Sequence, residues 1–438
     1  MHVLFYTLGC KVNQYETQAM RRLMEKSGFS TGEYTDSSKT DQDVAIVINS
    51  CTVTGESDRK LRQLLRRLRR RNPHAVIVLT GCMPQAFPKA AEKYTEADIV
   101  LGNASRSSLA EQINRYLTLG RRIVEISPHN NKFEPLSIDE FQGRTRAFVK
   151  IEDGCDRYCS YCIIPYARGH VRSKPRKELA LELQSLADKG FSEIVLVGIN
   201  LTSYGREWDG SICDAVEIAC SIPNVKRVRL GSLEPDSMTP EVISKLSTFE
   251  KLCPQFHLSL QSGCEKTLKR MNRHYTPLEY RGVCDMLKQH FPDCALTTDV
   301  MVGFPGEDET EFKESLTFVK SIGFLRVHIF SYSPRPGTPA ARAPNQIPTA
   351  EKTRRNHIMA EVCNESRDKY LDRWIGRQTE VLIETRHSNG GVEGYSPQYF
   401  NVRISPYDKK FSAGQIVRVK IIGHNEGICH AILIQSVE

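Results

Sequence analysis

Short apolar runs alternate with amphipathic stretches along the first 125 residues of the chain. The runs HVLFY, DVAIVIN, AVIVL and ADIVLG are short and almost wholly apolar, which is typical of buried strands in a parallel sheet. Helical patterns occupy the intervening segments around 13–27, 56–71 and 105–117. This alternation predicts an α/β domain over 1–125, a doubly wound parallel sheet with helices on both faces.

A polar segment over 126–143 predicts a linker, and the alternation then resumes over 144–372. Six strand patterns separated by helical patterns fall short of the eight units of a complete (β/α) barrel, so a partial, open (β/α)6 barrel is expected. Over 373–438, short alternating strands with glycine turns replace the helical periodicity. That region is expected to form a small β-barrel.

Three cysteines directly follow the first three buried strands: Cys10, Cys51 and Cys82. In open parallel sheets, ligands gather at the carboxyl ends of the strands. The three thiols are therefore expected to meet in one crevice as a metal site. The alternative is that they simply pack, since cysteine is small and often buried.

A second group of cysteines lies in the loop GCDRYCSYC, where Cys155, Cys159 and Cys162 have Cys-x3-Cys-x2-Cys spacing and no fourth cysteine nearby. Structural metal sites are usually closed by four protein ligands. Three closely spaced thiolates indicate an iron–sulfur cluster with one iron left for an outside ligand. A zinc knuckle completed by a distant residue remains the alternative.

Composition narrows the class of protein without deciding its function. The chain has 438 residues, of which 40% are hydrophobic and 26% charged, as in ordinary globular proteins. Its net charge of +8 permits a polyanionic partner but does not require one. Fourteen scattered cysteines without a recognisable signal peptide, and no apolar run long enough to span a membrane, predict a cytoplasmic protein with metal-binding or catalytic thiols.

The loop CDRYCSYCIIPYARG closely resembles the cluster motif of radical S-adenosylmethionine (SAM) enzymes. With YTLGCKVNQYE, NSCTVT, TGCMPQ, LKRMNRHYT and YSPRPGTPA, the whole chain resembles the methylthiotransferase family of these enzymes. The resemblance implies an N-terminal methylthiotransferase domain, a radical SAM barrel and a C-terminal RNA-binding TRAM barrel. It also implies SAM and two 4Fe–4S clusters, a radical cluster on Cys155, Cys159 and Cys162 and an auxiliary cluster on Cys10, Cys51 and Cys82.

The implied reaction replaces the C2–H of an adenine by a methylthio group, with one SAM donating the methyl and another generating the radical. TLGCKVNQYE and CIIPYARG are similar to the branch that acts on N6-threonylcarbamoyladenosine beside the anticodon of tRNA. The implied partners are the tRNA anticodon stem-loop and an electron donor such as flavodoxin or ferredoxin. Three alternatives stay open: the isopentenyladenosine branch, the branch that modifies an aspartate of a ribosomal protein, and a zinc-containing RNA-binding protein.

Several polar or small residues follow the predicted barrel strands, where they could contact SAM or instead cap helices. The candidates are Tyr161, Gly198, Asn200, Ser232, Glu234, Gln261 and Ser262. The contact of Tyr161 with adenine is implied by the family alone. No His/Asp/Ser catalytic group is expected, because the chemistry is implied to occur at the clusters.

The segment DRKLRQLLRRLRRR predicts an amphipathic helix with one leucine stripe and an otherwise basic surface. Since solvated helix faces usually mix signs, phosphate contact is favoured over a merely soluble surface. The predicted RNA-binding residues are Arg62, Arg66, Arg67, Arg69 and Arg70. A second basic group, Lys266, Lys269, Arg270 and Arg273, is a further candidate to face the cleft.

Overall fold

The N-terminal part of the chain is a six-stranded parallel sheet with helices on both faces. The computed structural model describes residues 1–36, 38, 43–141, 143–387, 391–405 and 411–436; Gln142 of the predicted linker and parts of the predicted C-terminal barrel lie outside them. The strands are β1 (His2–Thr7), β2 (Ser30–Glu33), β3 (Val44–Ser50), β4 (Val76–Gly81), β5 (Ile99–Leu101) and β6 (Ile123–Glu125), in the sheet order β2-β1-β3-β4-β5-β6. The helices are α1 (Lys11–Lys26), α2 (Gly55–Arg71), α3 (Cys82–Ala86), α4 (Pro88–Ala91) and α5 (Leu109–Leu119).

Strand residues alternate between two apolar layers, one on each face of the sheet. Val3 and Phe5 pack on the side of α1 and α5, whereas Leu4 packs with the leucines of α2. Helix α2 begins after Thr54, whose side chain accepts a hydrogen bond from the Ser57 amide at 3.2 Å. Its leucine stripe is fully buried, and this explains why so basic a segment folds as a helix. The predicted doubly wound sheet is confirmed.

The central part is an open barrel of parallel strands with helices outside. Its strands are β7 (Arg146–Lys150), β8 (Glu152–Asp153), β9 (Arg172–Ser173), β10 (Glu193–Val197), β11 (Arg227–Leu230), β12 (Ser232–Leu233), β13 (Gln255–Leu258), β14 (Ala295–Val302) and β15 (Arg326–Ser331). Its helices are α6 (Ile164–Arg168), α7 (Arg176–Asp188), α8 (Ile212–Ser221), α9 (Pro240–Ser247), α10 (Glu265–Arg270), α11 (Pro277–His290), α12 (Glu309–Ile322), α13 (Pro339–Arg342) and α14 (Thr349–Asp372).

Two sheets, β11-β10-β7 and β12-β13-β14-β15, join to form the wall of this barrel. They are continuous because β11 runs into β12 through Gly231, whose amide donates to the Leu196 carbonyl at 2.8 Å. Among the described residues no strand ladder joins β7 to β15, so the barrel stays open at that seam. The predicted partial barrel of six βα units is confirmed, with β8 and β9 forming a separate small hairpin.

The C-terminal part is a closed five-stranded barrel. Its strands are β16 (Gln378–Arg386), β17 (Val392–Tyr395), β18 (Asn401–Ile404), β19 (Ile416–Asn425) and β20 (Ile428–Ser436), closing in the order β16-β17-β18-β20-β19. The barrel docks on the central domain through Arg229, which donates to the carbonyls of Ser396 and Pro397 at 3.3 and 2.8 Å. The predicted small β-barrel is confirmed. No helix in the described ranges is both long and apolar enough to cross a membrane.

Candidate active site at the meeting of two cysteine groups

The strand ladder aligns the ends of β1, β3 and β4, and one of the first three cysteines follows each end. Asn49 pairs with Thr7 on one side and with Thr80 on the other, so the three strands finish at the same edge. A Cβ added to Gly9 would lie 2.9 Å from the Cβ of Cys51, which shows how tightly the Cys10 loop approaches its neighbour. We call Cys10, Cys51 and Cys82 the N-terminal triplet.

A buried arginine, Arg168, lies beside this triplet. Burial, followed by the neighbouring Cys82, raises the pKa of Cys51 to about 12, so that thiol is neutral until a metal withdraws its proton. The guanidinium of Arg168 is close enough to act electrostatically on each of the three thiols. Arg168 is itself held by Glu16, with Nη1–Oε1 at 2.7 Å, and by Asp153 at 3.0 Å. This fixed positive charge suits an anionic group bound by the triplet.

The second cysteine group lies in a loop that backbone contacts hold from two sides. Gly154 has φ +91°, and a Cβ there would lie 1.9 Å from the His170 carbonyl oxygen. The Cys155 amide donates to the Gly169 carbonyl at 3.0 Å, and the Ser160 amide donates to Met271 at 3.0 Å. The loop is therefore preorganised by its glycine and by the turn that follows α10. We call Cys155, Cys159 and Cys162 the barrel triplet.

The barrel triplet also has a buried arginine beside it. Burial raises the pKa of Cys155 and of Cys162 to about 12. Arg273 donates through Nη1 to the Cys159 sulfur at 3.3 Å, while it is held in an ion pair with Glu234. Sequence reasoning placed Arg273 in a basic group expected to face the cleft and gave it no part beside the cysteines, although its place in the quoted motif LKRMNRHYT was a usable signal. Two other members of that group are engaged differently: Arg270 pairs with Glu311, and Lys269 with Glu265.

The two triplets open onto adjoining cavities. The larger, about 670 Å³, is lined by Cys10 and Cys51. The smaller, about 180 Å³, is lined by Tyr161 and Cys162. Both cavities share wall residues: Val53, Thr54, Asp299 and Phe330. A substrate that spans both cavities would reach Cys10 and Cys51 of one triplet and Cys162 of the other.

The predicted SAM-binding residues divide into two sets. Gly198 and Ser232 line the larger cavity, and Tyr161 and Gln261 line the smaller one. The other three are engaged within the protein: Asn200 donates to Ser203 Oγ at 2.7 Å, Ser262 Oγ accepts from the Cys264 amide at 3.2 Å, and Glu234 pairs with Arg273. Only the first set presents atoms to a ligand in the cavities.

Glu152 is a buried carboxyl beside this space that sequence reasoning missed. Its Oε2 accepts from the amides of Ile199 and Asn200 at 2.8 and 2.7 Å and so fixes the turn after β10. Burial raises the pKa of Glu152 to about 8. A Cβ on Gly198 would lie 2.6 Å from the same oxygen, so the glycine allows this close approach.

The basic face of α2 lies on the outside of the N-terminal domain. Arg62, Arg66 and Arg70 are exposed, and Arg67 is partly exposed near Asp36. Arg69 is used within the domain, because its guanidinium donates to Asp98 at 2.5 Å and to the carbonyls of neighbouring loops. The helix thus presents four of the five predicted arginines to solvent.

The cysteine chemistry fits clusters better than single metal ions. Within the described residues no three His, Cys, Asp or Glu side chains converge to hold one ion. Cysteines around a 4Fe–4S cluster bind separate irons and therefore need not converge. The thiols within each triplet act electrostatically on one another, and each triplet has a buried arginine beside it, an arrangement that suits two clusters with one iron left open in each.

Comparison with known proteins agrees with this geometry. The chain matches the Radical SAM superfamily over residues 149–319 and Uncharacterized protein family UPF0004 over residues 2–102. It is 37% identical to "Threonylcarbamoyladenosine tRNA methylthiotransferase MtaB" of Bacillus subtilis, with 97% of this chain and 95% of the relative covered. The chain belongs to the radical SAM methylthiotransferases. Membership confirms the predicted cofactors, SAM and 4Fe–4S clusters, and two clusters fit this family.

A second branch of the methylthiotransferases is nearly as similar. The chain is 32% identical to "tRNA-2-methylthio-N(6)-dimethylallyladenosine synthase" of Clostridium botulinum, over 96% of this chain and 94% of the relative. Among solved structures, the radical SAM methyltransferase TsrM of Kitasatospora setae superposes with a TM-score of 0.57 at 13% identity, covering 78% of this chain and 77% of that one. The latter likeness shows the fold alone.

Proposed function

We propose that this enzyme methylthiolates C2 of N6-threonylcarbamoyladenosine in tRNA, next to the anticodon, giving 2-methylthio-N6-threonylcarbamoyladenosine. The observation that carries the proposal is that the two cysteine triplets open onto adjoining cavities with shared walls, in a chain 37% identical to a threonylcarbamoyladenosine enzyme over nearly its full length. Because tRNA is the substrate, a cytoplasmic enzyme is inferred.

The barrel triplet would hold the radical SAM cluster and the N-terminal triplet the auxiliary cluster. When bound, the clusters and SAM supply radical activation of a C–H bond, sulfur for insertion and a methyl group. The protein contributes position and charge. Arg168 and Arg273 balance anionic groups beside each triplet, and Gly198, Ser232, Tyr161 and Gln261 form the walls against which SAM would lie.

The RNA-binding surface is proposed to be the outward face of α2, with Arg62, Arg66, Arg67 and Arg70 contacting phosphates of the anticodon stem-loop. Its arginines are clustered on one side and lie on the domain that carries the N-terminal triplet. Phosphate contacts of this kind give salt-sensitive, sequence-independent affinity.

A flavodoxin or ferredoxin is proposed as the electron donor. The proposal also divides the chain into an N-terminal domain over 1–125, a linker over 126–143, a radical SAM domain over 144–372 and a C-terminal barrel over 373–438.

Nucleoside mass spectrometry of tRNA tests the function. Cells lacking the protein should lose 2-methylthio-N6-threonylcarbamoyladenosine and accumulate its unmethylthiolated precursor. A plasmid copy should restore the product, whereas a copy with Cys51→Ala and Cys82→Ala should not. Loss of the isopentenyladenosine product instead would assign the enzyme to the other branch, and unchanged tRNA would refute a tRNA substrate.

A further inference from the structure

The larger cavity carries more positive than negative charge. Lys11 and Arg326 line it, and Asp299 is its only acidic lining residue among those described. Asp299 is engaged by His257, with Nε2–Oδ2 at 3.4 Å. Two cations therefore face one carboxylate in a partly enclosed space, and the lining keeps an excess of positive charge.

Lys11 is the more unusual of the two cations. It is the first residue of α1, directly after Cys10, and its Nζ lies 5.9 Å from the ring centre of Phe148 and 5.7 Å from that of Tyr399. In the part of the chain that the structure describes, no carboxylate lies within ion-pair distance of this ammonium. A half-buried ammonium without a counter-ion is costly, which points to an anion supplied from outside the protein.

Arg326 stands on the inner face of β15, on the same side as His328 and Phe330 because strand residues alternate. Its guanidinium forms no ion pair with any described residue. Both Arg326 and Lys11 act electrostatically on His328, which places the two cations around one part of the cavity.

We propose that Lys11, assisted by Arg326, binds the carboxylate of the threonylcarbamoyl group and thereby selects this substrate over isopentenyladenosine. The inference rests on the proposed function and names the residues that would give it specificity. The threonyl carboxylate is the anionic group that distinguishes the two nucleosides, since the isopentenyl group is an uncharged hydrocarbon. Lys11 follows a triplet cysteine directly, so an anion bound to it lies at the reaction centre.

The test uses the full chain, reconstituted anaerobically, and two anticodon stem-loop RNAs. One carries N6-threonylcarbamoyladenosine and the other carries its uncharged threonine-carboxamide analogue. Lys11→Met and Arg326→Met are compared with Lys26→Met, a matched control at the exposed far end of α1. Methylthiolation kinetics, RNA binding by fluorescence anisotropy and iron per chain are measured for each variant.

We expect Lys11→Met to lower kcat/KM on the carboxylate RNA by about 10- to 100-fold, chiefly through KM, as loss of one charge-assisted hydrogen bond does. On the carboxamide RNA, Lys11→Met and the wild type should be equally active. Arg326→Met should show the same selectivity at smaller amplitude. All three variants should hold as much iron per chain as the wild type. Lys26→Met should also match the wild type in methylthiolation kinetics and RNA binding.

Equal losses on both RNAs would overturn the inference, because they would mean contact with a phosphate or support of the neighbouring cysteine. Unchanged activity of Lys11→Met on the carboxylate RNA would overturn it as well. A third stem-loop, carrying isopentenyladenosine, tests the proposed function separately: a wild-type enzyme that modifies this RNA but not the threonylcarbamoyladenosine RNA would refute that function itself.

Discussion

Replacing Gly154 by alanine should remove the barrel cluster and leave the N-terminal cluster in place. At φ +91° the new Cβ would lie 1.9 Å from the carbonyl oxygen of His170, whereas Cβ contacts below 3.0 Å essentially do not occur. The β8–β9 hairpin must therefore open by at least about 1.1 Å next to Cys155. A misplacement of about 1 Å at a reactive centre costs on the order of 100-fold in rate.

Iron analysis after anaerobic reconstitution measures the effect. The wild type should hold about eight irons per chain and Gly154→Ala about four, with loss of reductive SAM cleavage. Gly190→Ala is the matched control: its φ is also +91°, but nothing lies within 4 Å of the added Cβ, so it should keep both clusters. Gly81→Ala, whose Cβ would lie 2.3 Å from the Ser50 carbonyl, should lose the other cluster and retain SAM cleavage. Eight irons and full cleavage in Gly154→Ala, or equal losses in Gly190→Ala, would refute the steric argument.

Three further predictions concern the core, the RNA surface and pH. Leu65→Ala, at a fully buried position of α2, should cost about 2–5 kcal/mol and lower the thermal midpoint, whereas Leu278→Ala at an exposed position should leave it nearly unchanged. The double variant Arg62→Gln/Arg70→Gln should weaken tRNA binding and reduce the slope of log K against log salt by about 2; an unchanged slope would exclude phosphate contact. Burial alone would raise the pKa of Glu16, but its arginine and lysine partners hold it below its usual range. Its stabilising contribution is therefore complete above about pH 4.3 and is lost as the pH falls through the lowered folded value. Glu16→Gln should flatten the acid side of the profile of thermal midpoint against pH, and an unaltered acid side would contradict the assignment.

The fold could be predicted from the sequence because the local pattern of apolar residues shows which strands and helix faces are buried. Strands such as β3 and β4 are apolar at nearly every position, as parallel strands covered on both faces must be. The position of Cys10, Cys51 and Cys82 at one edge of the sheet followed from the same logic, since each follows the end of a neighbouring strand.

The buried charged residues around the cysteine triplets could not be predicted from local sequence patterns. Arg168, Arg273 and Glu16 are buried, yet each resembles an ordinary surface charge in sequence, because burial of a charge depends on partners distant along the chain. Glu16 and Arg168 are 152 positions apart, and Arg273 reaches Cys159 across 114 positions. No local periodicity reports such pairs. For the same reason, Arg69 was grouped with its exposed neighbours although its partners lie in the loops around Glu96 and Asp98.

Tyr399 belongs to the C-terminal barrel, yet it forms part of the wall of the larger cavity, held at φ +71° and stacked on Tyr395 at 4.7 Å. Arg229 of the central domain lies over its ring at 4.5 Å. A chain ending at Asp372 would thus have a breached reaction chamber as well as a missing module. The effect of such a truncation could not be assigned to the opened cavity or to the missing barrel. Point substitutions on the outer surface of the C-terminal barrel are needed to show what that barrel contributes to RNA binding.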